Sequence, residues 1–205
     1  PRADLISVEE QIANEIAAKL RGRLSGADRG RLARRRTRDP EAFRLYLQGR
    51  FHWNRRTEAG LRKSVEYFRG AIEKDPTYAL AHVGLADAHL ILGFMLALPA
   101  SQAFPAAKAA AQRVLELDPS MGEALISRAY ARFYHDWDWA GAETDYRRAL
   151  ELAPEYPTGH QWYGNFLCAM GRFDEALAEM RRAEELDPLS SIIGAALAWT
   201  MHFAR

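Results

Sequence analysis

Residues 149–188 read ALELAPEYPTGHQWYGNFLCAMGRFDEALAEMRRAEELDP, and the prolines closing the two similar phrases, Pro154 and Pro188, stand 34 residues apart. The same phrase recurs upstream: AIEKDP ends at Pro76 and VLELDP at Pro119, so successive intervals are 43, 35 and 34 residues. The positions inside each unit repeat as well. Ala142, Tyr146 and Ala149 precede Pro154 at the offsets at which Ala176, Met180 and Ala183 precede Pro188. Spacings of three and four residues put these side chains on one helical face. Small residues there let two antiparallel helices approach, and the large one fills the gap between units. Each proline stops the second helix of its unit and fixes the turn into the next.

Composition agrees with helices. Ala occurs 36 times, whereas Val, Ile and Thr together occur 18 times, too few branched side chains for a β-rich fold. Hydrophobic residues at 48% and charged ones at 27% are ordinary for a folded soluble protein. The single cysteine, Cys168, excludes an intrachain disulfide and fits a reducing, cytoplasmic setting. No apolar run approaches the roughly 20 residues that cross a bilayer, so no membrane partner is expected. Net charge is +1, with ten Lys/Arg against six Asp/Glu in residues 1–40. That imbalance does not by itself imply nucleic acid.

A helix-turn-helix unit with a period near 34 resembles the tetratricopeptide (TPR) family. The resemblance implies an all-α solenoid with a right-handed superhelical twist. Residues 40–205 then hold about four repeats and the first helix of a fifth. A narrower similarity is carried by EAFRLYLQGRFHWNRRTEAGLRKSVEYFRGAIEKDP (Glu41–Pro76), ALAHVGLADAHLILG (Ala79–Gly93) and YHDWDWAGAETDYRRALELAP (Tyr134–Pro154). These resemble repeat regions of bacterial signalling proteins, in which the array follows a winged-helix, adenylate-cyclase or Ser/Thr-kinase domain. A TolB-like segment often precedes the array there, and DLISVEEQIANEIAAKLRGRLS (Asp4–Ser25) resembles its last helix.

Residues 1–39 read as a separate element. Val8, Ile12, Ile16, Leu20 and Leu24 recur every four residues, which predicts one amphipathic helix, with Ser7 and Glu10 as a capping box. Six arginines between Arg29 and Arg38 read as a solvated linker, since no aromatics are interleaved for base stacking. The chain begins at Pro1 without a leader pattern and reads as a piece of something longer. Surplus residues are expected as a lengthened turn at Gly93–Phe104, where Pro99 breaks the helix, and near the NRRTEAG stretch of the first repeat. The apolar positions Ile192, Ile193, Leu197, Trp199 and Phe203 lack a covering helix, which suggests truncation, swapping, or a homodimer through this end or through the N-terminal helix.

Nothing in the residues suggests catalysis. Kinase, P-loop, GxGxxG, HExxH and GxSxG patterns are absent, and no cofactor or metal is expected. His82 and His89 read as packing residues. Asp138, within the HDWDW stretch, reads as a helix cap with Trp137 and Trp139 packed beside it. Recognition is the expected function, on the concave face lined by the first helix of each unit. Matching offsets nominate Tyr46, Arg50, Trp53 and Asn54 from the first repeat, and Val83, Asp87 and Leu90 from the second. The third supplies Tyr130, Phe133 and Tyr134, the fourth Gln161 and Asn165, and the last helix Trp199 and His202. Aromatic, amide and guanidinium groups of this kind hold an extended peptide or a partner helix. Asn165 occupies a position that resembles the backbone-binding asparagine of TPR carboxylate clamps, but the clamp lysines are missing, which argues against an acidic chaperone tail. A dimerisation spacer that binds no third party is the alternative.

Overall fold

The computed structural model describes residues 37–205, so the expected N-terminal helix, its capping box and most of the arginine-rich stretch lie outside the described residues. Among the described residues there are nine α-helices and no strand. They run in chain order as α1 (Pro40–Asn54), α2 (Glu58–Lys74), α3 (Ala79–Phe94), α4 (Ala100–Leu117), α5 (Gly122–Ala131), α6 (Trp139–Leu152), α7 (Pro157–Ala169), α8 (Phe173–Leu186) and α9 (Ser191–Phe203). Odd and even helices pair antiparallel, and α9 packs on α7 and α8. This is the helical solenoid that the repeating phrases predict.

Local chemistry sets the boundaries. The Asp39 carboxylate accepts from the Glu41 and Ala42 amides at 2.8 and 2.9 Å, just ahead of Pro40 at the first helical position. Thr57 caps α2 through the Gly60 amide, and Asp138 caps α6 through the Gly141 amide. At the other ends, Asp75, Asp118 and Asp187 leave the helix in extended or intermediate conformations before Pro76, Pro119 and Pro188. The first two then accept from the amides of Thr77 and Ser120, which holds the turn between units.

The repeated small residues do what their spacing implies. Ala142, Tyr146, Ala149, Ala176, Met180 and Ala183 are all fully buried. Phe68 of α2 is wedged between Gly49 of α1 and Gly84 of α3, where an added Cβ would meet its ring at 2.5 Å on either side.

The surplus residues fall elsewhere than expected. Relative to the fourth repeat, the nine extra residues of the second are spread over α3, its loop and α4. These helices have 16 and 18 residues, against 13 and 14 in α7 and α8, and the connecting loop 95–99 gains only two. Residues Ala79–Gly93 are nearly all buried, so the helix is extended by its packing. The first repeat likewise keeps a three-residue turn, and α1 and α2 absorb the excess with 15 and 17 residues. In the third repeat, α5 ends in a π-helical turn, Arg132–Asp136, followed by Trp137 at φ 58°. That turn accommodates the one extra residue of the 35-residue interval.

Candidate functional site

The first helices of the repeats share one inner wall, and Asp87 of α3 stands at its centre. Ser127 Oγ of α5 donates to Asp87 Oδ1 at 2.7 Å, and the Tyr156 hydroxyl, at the start of α7, donates to Oδ2 at 3.2 Å. The Arg50 guanidinium of α1 lies 3.8 Å from Oδ2. One fully buried carboxylate of the second repeat therefore touches the first, third and fourth. Burial pushes its pKa up to about 6, and Arg50 and the Ser127 hydroxyl only partly offset that shift.

Beside this network lies a cavity of about 430 Å³ between the end of α1 and the first turns of α7 and α9. Arg50, Trp53, Asn54 and Arg56 line one side, and Tyr156, Gln161, Ser190 and Ser191 line the other. The Trp53 indole, 3% exposed, carries two guanidinium groups, with the Arg56 and Arg50 carbons 3.5 and 4.4 Å from its ring centre. Arg50 is surrounded by protein, yet 26% of its side chain stays open to water because it faces this cavity. Arg56 sits in the turn after α1 with a left-handed backbone, φ 49°. Among the described residues no carboxylate lies within ion-pair distance of it, and its Nε is buried without a hydrogen-bond partner. Burial lowers its pKa to about 10, against the pull of Asp87.

The nominated residues lie in several different places. Arg50, Trp53, Asn54 and Gln161 come together on the cavity wall. Asp87 and Tyr130, at 0% and 3% exposure, lie within the wall rather than on it, as do Val83 and Leu90; this corrects their placement as groove-surface residues. Tyr130 stacks against Tyr134 and Trp162, each at 4.4 Å, and Phe133 meets Phe166 at 5.2 Å, an aromatic seam between the third and fourth repeats. Tyr134 and Phe133 stay half-buried, and so does Asn165, one turn beyond Gln161 on α7. Tyr46 packs on Phe68 and Tyr78. Trp199 and His202 belong to a different place, an open depression on α9 shared with Ala195 and Ala198.

Arg56, Tyr156, Ser190 and Ser191 escaped the count of helix offsets because they sit in turns or at helix starts. The sequence signal for this wall is the Arg55-Arg56 pair in the turn that follows α1.

The remaining polar groups are structural. His82 and His160 each stand six residues after a repeat proline and meet its carbonyl, at 3.1 and 2.9 Å. His89 is buried, which lowers its pKa to about 4, and it carries no charge near neutrality. Asp138 caps α6 as expected, but Trp137 and Trp139 are 73% and 46% exposed and touch each other rather than the core. Among the described residues no group of three metal-ligating side chains converges, and no helix is long and apolar enough to cross a membrane.

Comparison with known proteins agrees with this architecture. Tetratricopeptide repeat family models match residues 96–157 and 138–199. The transcriptional regulator HilA of Salmonella typhimurium is 23% identical over 159 residues, which cover 78% of this chain and 29% of HilA. HilA of Salmonella typhi matches to the same extent. The chain thus spans under a third of these curated relatives. Among solved structures, TTC0263, a thermophilic TPR protein in Thermus thermophilus, is similar with a TM-score of 0.62 at 20% identity. The match covers 80% of this chain and 82% of that one, a likeness of fold.

Proposed function

Since this chain belongs to the tetratricopeptide-repeat family, we propose that its inner wall is a recognition surface for a peptide or helix of a partner protein. The observation that carries the reading is the convergence of α1, α3, α5 and α7 around Asp87, which sets Arg50, Asn54, Gln161, Asn165 and Tyr134 along one side of the array. A preformed row of amide, guanidinium and aromatic groups binds a main chain with little reorganisation. The wider setting is a bacterial cytoplasmic regulator, with the array as a non-catalytic assembly arm. The name of HilA, a transcriptional regulator, supports that setting.

The test pans a displayed peptide library against the array and measures the enriched peptides on Tyr134→Ala and Asn165→Ala. Binding is expected to weaken about tenfold while helicity is unchanged. Enriched peptides that bind both variants as tightly as the parent would refute the groove. Nucleic acid and membrane are not proposed as partners.

One observation favours a second reading, self-association. On α9, Trp199 and Phe203 are 64% and 55% exposed and stack at 5.8 Å, an apolar face open to solvent. Light scattering over a concentration series decides it. A mass that doubles with concentration, and stays monomeric in Trp199→Ser, makes the array a dimerising spacer.

A further inference from the structure

The cavity at Arg56 combines features that the groove reading does not use. It is concave, it holds a cation with no carboxylate within ion-pair distance among the described residues, and its wall joins residues of the first repeat to residues of the fourth and the ninth helix. Arg50 lies 3.8 Å from Asp87, whereas Arg56 feels Asp87 only at longer range and, among the described residues, pairs directly with no carboxylate; its Nε has no hydrogen-bond partner. Asp187 also lines the cavity, but it is exposed, so water screens its charge. The Arg50 and Arg56 guanidinium groups lie over the Trp53 ring, and a planar fork fits a carboxylate through two parallel hydrogen bonds. The Ser190 and Ser191 hydroxyls and the first turn of α9 add donors on the opposite wall. Leu189, Ile192 and Trp53 supply apolar surface beside them. At interior packing density, about 430 Å³ accommodates roughly twenty non-hydrogen atoms.

We propose that this cavity binds an organic acid, a carboxylate on a small apolar body, with the carboxylate on Arg56 and the body against Trp53, Leu189 and Ile192. A single negative charge matches the single unanswered cation, which disfavours a phosphate dianion. Because its two walls come from repeats far apart in sequence, an occupant clamps the first repeat to the fourth and to the ninth helix and fixes the curvature between them. The carboxylate has two sources: a free acid, or the C-terminal residue of a peptide. The cavity shares Arg50, Asn54 and Gln161 with the recognition surface, but its test uses no partner peptide from that reading and no substitution at Tyr134 or Asn165.

Isothermal titration calorimetry uses 4-phenylbutyrate as the free acid and N-acetyl-alanyl-phenylalanine as the peptide terminus, each beside its uncharged amide. Saturable binding of at least one acid is expected, with its amide weaker by about tenfold or more. Arg56→Gln is expected to abolish that binding, Arg56→Lys to retain part of it, and Arg148→Gln on the outer face to leave it unchanged. Asn54→Asp, at an exposed position on the cavity wall, puts a negative charge beside the site and is expected to abolish binding, even if Arg56→Gln fails to fold. Whichever acid binds tighter supports the site and identifies its source. Amides that bind as well as the acids, acids that bind Asn54→Asp undiminished, or no saturation by about 20 mM would overturn the proposal.

Discussion

Asp87→Asn is the perturbation that most directly probes the buried network. In the folded chain burial raises the Asp87 pKa from 3.8 to about 6, despite Arg50 and two hydroxyl donors. At about 1.4 kcal/mol per tenfold change in proton affinity, that gap corresponds to about 3 kcal/mol. The sign follows from linkage. The native state holds the proton more tightly than the unfolded chain, so this stability is fully present below pH 3.8. It is lost as pH rises to about 6. Above that, the ionised carboxylate weighs against the fold. An asparagine keeps an oxygen for the Ser127 hydroxyl and never ionises, while its Nδ2, in place of Oδ2, requires the Tyr156 hydroxyl to turn and accept. It does leave Arg50 without its counter-charge, but Arg50 faces the water-accessible cavity, which limits that cost. Urea denaturation at pH 7.5 should therefore find Asp87→Asn more stable by about 1–3 kcal/mol, with the difference shrinking below about 1 kcal/mol at pH 4. A variant less stable at pH 7.5, or a difference independent of pH, would refute the reasoning.

Three further outcomes follow from the packing. Gly84→Ala drives a Cβ to 2.5 Å from the Phe68 ring, which Gly49 blocks on its far side, and should destabilise by about 1–3 kcal/mol in urea titration despite the better helix propensity. His160 is held by Glu179 at 2.6 Å and by the Pro154 carbonyl at 2.9 Å. Burial alone would lower its pKa, but these two acceptors outweigh it and raise the value above 6.5. Its stabilisation is therefore full below pH 6.5 and fades as pH rises through the raised value, a window above that of Asp87. Between pH 5.5 and 8.5 the melting temperature of His160→Gln should fall less than that of the parent, and equal slopes would count against the pair. Asp138→Ala removes the cap on α6 and should cost about 1 kcal/mol, with circular dichroism reporting no change in helix content at low temperature.

The fold was legible because a repeat states its rules several times. Ala142, Tyr146 and Ala149 alone resemble any helix; their recurrence at Ala176, Met180 and Ala183 identifies helix pairs, and the prolines mark the unit ends. The interval of 43 residues also revealed a longer second unit, but not where the excess went. Turn composition pointed to a loop around Pro99, whereas the deciding quantity was burial. Residues up to Gly93 lie between α2 and α4, so helix continued as long as apolar contact did. Trp137 and Trp139 failed in the opposite sense. Large aromatics read as core, but the π-helical turn and the left-handed Trp137 that follow α5 aim them at solvent.

The candidate site was half legible for a related reason. Offsets within a repeat locate side chains on the inner face of their own helix, which is how Arg50, Trp53, Asn54 and Gln161 were found. They cannot report which repeats face one another across the superhelix. In a solenoid each unit ordinarily contacts only its neighbours, so stability sums over adjacent interfaces. Here the Tyr156 hydroxyl reaches Asp87 across 69 residues, and the Arg56 cavity joins α1 to α9. Both contacts exist because curvature brings non-neighbouring repeats toward one another, a property of several units together. Arg56, Ser190 and Ser191 acquire a role only there. These long contacts should couple end units that would otherwise fray independently. Amide exchange in α1 and in α7 should therefore slow together when the cavity is occupied, whereas protection confined to α1 would mean that the ends do not communicate.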